Sequence, residues 1–122
     1  ALIAQGNWSS QSGSAATTNL LKDTENFTAI FAQNDRMAAG AIRTLRDAGY
    51  RIPEDYSVIG YDDVPLAALI DPPLTTIQQP LEDFGKHAAR ILIQTIQEIH
   101  QPMDYCTTPE LIQRQSTAYY QP

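Results

Sequence analysis

Cysteine is almost missing from this chain, with Cys106 alone among 122 residues. A single thiol forms no internal disulfide, and nothing points to an oxidising compartment. Cys and His at metal-ligating spacing are also lacking, so no metal site is assigned. Basic residues are scarce: 8 Lys and Arg against 14 Asp and Glu leave a net charge of −6. So little positive surface argues against direct contact with a phosphate backbone. No apolar run approaches the roughly 20 residues of a membrane span, and no charged-then-apolar leader opens the chain. A cytoplasmic protein with no membrane partner is expected. There is no glycine-rich phosphate loop and no Ser-His-Asp or Cys-His grouping, so no catalytic residue and no cofactor are assigned. No repeat, low-complexity tract or Gly/Ser linker divides the chain.

What is present is alternation of short apolar runs with helical patterns, in a chain 43% hydrophobic and sized for one core. The chain opens at Ala1 rather than Met, inside what reads as a strand, Leu2-Ile3-Ala4, so a processed or truncated product is expected. Ser9 and Ser10 offer cap oxygens to a helix running to about Lys22, with Ala15, Ala16, Leu20 and Leu21 inward and Asp23-Thr24-Glu25-Asn26 as a polar exit. Phe27 to Ala32 reads as a second strand, ending at Gln33-Asn34-Asp35. Ala38, Ala41, Ile42 and Leu45 recur at helical spacing between Arg36 and Ala48, and Gly49 supplies a left-handed stop. Ser57-Val58-Ile59-Gly60-Tyr61 is a third strand, so a right-handed crossover and parallel pairing are expected.

Val64 to Pro73 is a loop or short helical turn with more apolar residues than solvation requires; it packs on its own core or forms a partner surface. Leu74 to Gln79 reads as a strand, and Pro80 introduces the longest helix, whose Phe84, Ala88, Leu92, Ile96 and Ile99 share one face as far as His100, before Gln101-Pro102. Pro109 to Thr117 alternates well enough for a terminal strand, with Cys106 in the loop before it.

Three strand ends carry polar groups: Asn7-Trp8, Asn34-Asp35 and Asp62-Asp63. In parallel sheets ligands bind beyond the carboxyl ends of strands, and an aromatic face with an amide and a carboxylate suits a sugar or similar polyol. The plainer alternative has Trp8 packing, Asn34 capping a helix and the acids making local turn bonds. Mg²⁺ at Asp35, Asp62 and Asp63 would need a supporting Lys or Ser/Thr that the sequence does not place there. Asn7-Trp8-Ser9 and Asn26-Phe27-Thr28 match the glycosylation sequon, but a pattern so short arises often by chance. His87 and His100 read as surface histidines.

Five blocks stand in order: Gly6-Asn7-Trp8-Ser9, Asn34-Asp35-Arg36-Met37-Ala38-Ala39-Gly40-Ala41, Gly49-Tyr50-Arg51-Ile52-Pro53-Glu54-Asp55, Ser57-Val58-Ile59-Gly60-Tyr61-Asp62-Asp63 and Pro72-Pro73-Leu74-Thr75-Thr76-Ile77. With them the chain resembles the LacI/GalR (lactose/galactose repressor) family over nearly its whole length, in the last part of the effector-binding region. The resemblance implies an α/β fold, a parallel-sheet lobe of a periplasmic-binding-protein-like (type I) two-lobed fold. It implies a C-terminal lobe at about 1–75 and 109–118. A crossover strand and helix at about 76–101 would pack on a missing N-terminal lobe.

The resemblance also implies a small-molecule effector, a sugar or glycoside before a nucleobase. Trp8 packs on it, Asn34 hydrogen-bonds it, Asp62 takes its hydroxyls, and Asp63 is structural. Leu81 stands where several members have a ring-stacking Phe, a further ligand-binding candidate. A homodimer is implied, with Leu66, Leu69, Ile70 and Ile42 as interface candidates. Operator DNA would be reached only through a helix-turn-helix headpiece that these residues do not include. The implied role is a non-enzymatic ligand sensor; a periplasmic sugar-binding protein of a transport system is the alternative.

Overall fold

A computed structural model describes residues 2–23, 26–97 and 105–119. Thr24 and Glu25 of the expected polar exit lie outside the described residues, as do Ala1, Ile99, His100 and the Gln101-Pro102 stop. Helices α1 (Ser10–Asp23), α2 (Asp35–Asp47) and α3 (Leu81–Ile96) alternate with strands β1 (Ala29–Phe31), β2 (Ser57–Asp62), β3 (Thr75–Gln78) and β4 (Glu110–Ile112), and a 3₁₀ turn spans Pro65–Ala68. The strands form one sheet in the order β1-β2-β3-β4. β1, β2 and β3 pair in parallel, as expected of strands joined by a helical crossover, and β4 returns antiparallel to β3.

α2 holds the fold together because its apolar stripe faces β2 while its other flank meets α1. Ala38, Ile42 and Leu45 lie in one core with Val58, Ala67 and Leu74, all at 2% exposure or less. The helix ends at Gly49, where φ is +91°; the Gly49 N–H reaches the Arg46 carbonyl and the Tyr50 N–H the Leu45 carbonyl, the paired bonds of a Schellman stop. α1 starts with Ser9 Oγ accepting the Ser12 N–H at 3.1 Å. Its buried positions are Gly13 and Thr17, not the expected Ala15, which is exposed. Small residues allow α1 and α2 to approach closely, and the Ser14 and Thr44 hydroxyls bond across the contact.

Three expectations are corrected. Leu2-Ile3-Ala4 is not a strand: Ile3 is 88% exposed, and no strand of the sheet lies beside these residues to pair with their backbone. Ile42 is not an interface residue, because its side chain fills the core between α2 and the sheet; the outward positions of α2 are Arg36, Arg43, Arg46 and Asp47. Thr76, placed at the start of the crossover segment, is fully buried within the sheet, opposite Gly60. The chain leaves the sheet only after Gln78, which still pairs with Asp62 and Glu110.

The remaining interface candidates separate by exposure. Leu66 and Leu69, in and after the 3₁₀ turn, are 41% and 80% exposed, whereas Ile70 packs against the core. No helix among the described residues is long and apolar enough to cross a membrane.

Candidate functional site

The first two polar tips meet through Asn34. Its Oδ1 accepts the Met37 N–H at 2.8 Å, capping α2, and its Nδ2 donates to the Trp8 carbonyl at 3.0 Å. The side chain is only 7% exposed. Asn34 therefore performs the plainer role anticipated for it, and in doing so seats the Trp8 loop against the end of β1. Trp8 has a φ of +69° and its indole is 62% exposed, so this loop presents the ring instead of burying it.

The third tip is joined by Asp35, the residue after the cap. Its carboxylate, 1% exposed, accepts the Val64 N–H at 2.8 Å and the Thr76 hydroxyl, tying the start of α2 to the loop after β2 and to β3. A side chain at position 60 would collide with Asp35 Oδ1, which explains a glycine in the middle of β2. Burial pushes the Asp35 carboxyl above the usual aspartate range, and the nearby Asp62 and Asp63 charges add to this, while the Thr76 and Val64 bonds pull it back. A carboxylate so enclosed is a structural clamp and not an open metal ligand. Among the described residues no cluster of His, Cys, Asp or Glu could hold a metal ion.

Asp62 and Asp63 differ in their bonding. Asp63 is spent internally: Arg114 Nη2 reaches its Oδ1 at 2.7 Å and Gln78 Nε2 its Oδ2 at 2.9 Å. Arg114 also donates to the Leu74 carbonyl at 2.8 Å, locking the tip of β2 to the chain after β4. Asp62 accepts only from Gln79 Nε2, at 2.8 Å on Oδ1, so Oδ2 has no donor among the described residues. Both acids have positive φ, +106° for Asp62 and +52° for Asp63. With Trp8 they are the non-glycine residues of left-handed backbone in the described chain. Such conformations cost free energy and gather where side chains must point in unusual directions.

Trp8, Asn34 and Asp62 thus stand on three neighbouring loops at one end of the sheet, linked through Asn34 and Asp35. Leu81 is 60% exposed at the first turn of α3, two residues beyond Gln79. Gln79, Arg114 and the clamp role of Asp35 were not anticipated. A Gln-Gln pair before a proline and an Arg in a short terminal strand carry no periodic signal, and Asp35 read simply as a polar strand tip. A cavity of about 870 Å³ lies elsewhere, between Leu2–Gly6, α1 and β1, and shares only Trp8 with this site. Its lining is apolar and holds none of the carboxylates, so it is not the polar site.

A family model for the periplasmic binding protein-like domain matches residues 2–117. The HTH-type transcriptional repressor PurR of Vibrio atlanticus (strain LGP32) is 40% identical over 114 residues, covering 93% of this chain and 34% of the relative. A solved transcriptional regulator CelR–cellobiose complex is 38% identical with a TM-score of 0.87, covering 91% of this chain and 34% of that one. The structure of the lac repressor dimer bound to operator and the anti-inducer ONPF is 35% identical with a TM-score of 0.86, covering 92% of this chain and 39% of that one. The chain spans about a third of the length of the curated relatives it matches.

Proposed function

Because this chain belongs to the LacI/GalR family of periplasmic-binding-protein-like regulators, we propose that it is the effector-sensing part of a cytoplasmic transcriptional repressor. The effector is a sugar or glycoside, held by the Trp8 ring, the remaining N–H of Asn34 and the free oxygen of Asp62. The observation that carries this reading is Asp62 itself. Its backbone is held at φ +106°, Gln79 fixes one carboxylate oxygen, and the other has no donor among the described residues. An oriented carboxylate with a vacant acceptor is what a ligand hydroxyl requires, and an exposed indole on a neighbouring loop suits an apolar sugar face. A related structure carries cellobiose, which agrees with that chemistry.

In this reading α3 and its Leu81 face a second lobe. Leu66 and Leu69, exposed in and after the 3₁₀ turn, are the contact with a second copy; a related structure is a dimer. The effector acts by binding one arrangement of the lobes better than another, which changes operator affinity through DNA-binding heads outside these residues. The test is a thermal-shift screen of the full-length protein against sugars, glycosides and nucleobases, followed by calorimetry on the compound that raises its stability. Asp62→Asn, which removes a charged acceptor, should weaken that binding by roughly 1–3 kcal/mol. Unchanged affinity would remove Asp62 from the site, and stabilisation by nucleobases alone would replace the sugar.

A further inference from the structure

Asp62 and Asp63 stand one after the other in left-handed backbone, at φ +106° and +52°. Two such residues in succession, neither a glycine, keep this conformation only while both ends of the pair are held. Upstream the hold is the sheet, where Asp62 is registered against Gln78 of β3. Downstream it is Asp35: the Val64 N–H, the first after the pair, donates to its Oδ2 at 2.8 Å. That carboxylate is itself fixed. It belongs to the first residue of α2, directly after the Asn34 cap, is 1% exposed, and accepts the Thr76 hydroxyl on Oδ1 in the space left by Gly60. Val64 also begins the next element. It precedes the 3₁₀ turn without offering a side-chain cap, and its carbonyl accepts the Ala67 N–H at 2.8 Å. Ala67 is fully buried, whereas Leu66 and Leu69 are 41% and 80% exposed.

We propose that Asp35 is a positioning residue, a single buried anchor that sets both the aim of the Asp62 carboxylate and the seat of the turn carrying Leu66 and Leu69. This rests on Asp62 as the effector carboxylate and on Leu66 and Leu69 as the second-copy contact. Without the Asp35 acceptor the Val64 N–H loses its partner, and nothing downstream keeps two left-handed residues in place. Gln79 still reaches one oxygen of Asp62, but a bond to the carboxylate does not fix the backbone that carries it. A loop released in this way has to be ordered again by whatever binds it, the effector at one end and the second copy at the other, and that ordering costs affinity. Asparagine at position 35 differs from alanine. Its amide oxygen accepts the Val64 N–H and its amide nitrogen donates to the Thr76 hydroxyl, which can accept as well as donate. The anchor then survives without its charge.

Two constants of the full-length protein test this: the dimer dissociation constant by sedimentation, and, by calorimetry, the affinity for the sugar or glycoside that gives the largest shift in the thermal screen. Asp35→Ala should weaken both by about tenfold, and Asp35→Asn should change neither by more than about twofold. Tyr56→Leu, a core change at the opposite end of β2, should lower the melting temperature and leave both constants in place, which separates positioning from loss of stability. Where Asp35→Ala does not fold, Thr76→Val, which removes the hydroxyl that steadies the carboxylate, should weaken both by about threefold, and Thr76→Ser should restore them. Unchanged constants in Asp35→Ala, or an equal shift in Tyr56→Leu, overturn the proposal, and so does a shift in one constant alone, because one anchor serves both. Leu69→Asp keeps the two levels apart. An unchanged dimer there removes Leu69 from the contact and the second-copy half of the proposal with it, whereas a weakened dimer beside an unaffected Asp35→Ala removes only the anchor.

Discussion

α2 buries Ala38, Ile42 and Leu45 to 2% exposure or less, whereas α3 buries no residue at all and leaves Phe84, Leu92, Ile93 and Ile96 more than half exposed. Both helices carry apolar residues at helical spacing, and by that measure alone they are equivalent. The difference lies in what surrounds them. α2 sits between a parallel sheet and α1 and begins on the Asn34 side-chain cap. α3 begins on Pro80 with no side-chain cap. Its supports are local: Glu82 and Asp83 in the first turn, the exposed Glu82–Lys86 pair, and a His87–Tyr105 ring stack at 3.5 Å between centroids. An amphipathic stripe announces that a face wants cover; the neighbours decide whether this chain supplies it.

The sharpest way to break this contrast is to truncate one leucine in each helix. In the 122-residue chain, Leu45→Ala should cost about 2–5 kcal/mol by urea denaturation. Leu92→Ala should stay within about 0.5 kcal/mol. In the full-length protein Leu92→Ala should become as costly as a core truncation; if it remains neutral there, the α3 face is not a buried contact.

A smaller effect sharpens the contrast at the helix starts. Asn34→Ala should destabilise by about 1 kcal/mol through loss of the α2 cap. Asn34→Asp keeps the capping oxygen and removes only the donor to Trp8, so a loss equal to that of alanine would mean the cap itself contributes nothing.

The smallest effect is a difference in pH dependence between the buried and the exposed parts of the fold. Arg51 holds Asp55 well below the ordinary 3.8, at about 2. The folded state therefore binds the Asp55 proton less tightly than the unfolded chain. Its contribution is fully present above pH 3.8 and is lost as the pH falls toward about 2. Asp35 runs the other way: its folded carboxyl is raised by burial, so acidification toward 3.8 favours the folded state. Stability measured against pH should accordingly flatten at the acid end for Asp55→Asn and lose the opposing rise for Asp35→Asn. Identical profiles for the two variants would contradict these signs.

Much of this arrangement was legible from residue order. Val58 to Asp62, the stripe from Ala38 to Leu45, the Gly49 stop and the internal use of Asp63 all follow from local pattern or family blocks. The failures share a different cause. Leu2-Ile3-Ala4 has strand composition, but a strand exists only with a partner. Ile42 lies on the stripe that was expected, yet its assignment to an outer surface required knowing which side of α2 meets the sheet. The Asp35 clamp joins residues 29 and 41 positions away in the chain, a separation that no window of sequence reveals.

Gln78 and Glu110 sit directly opposite each other in the antiparallel register of β3 and β4. Residues 79–109 are therefore, in connectivity, the loop of a β-hairpin, however long that loop has become. Loop closure grows only slowly more costly with length, so such an insertion can be enlarged, exchanged or replaced by a tight turn while the sheet keeps its pairing. The same geometry attaches it to the sheet at the paired ends of β3 and β4, beside the Asp63–Arg114 lock. A pull on α3 from any direction arrives at the sheet there, as at the pivot of a lever, next to the residue that holds Asp62.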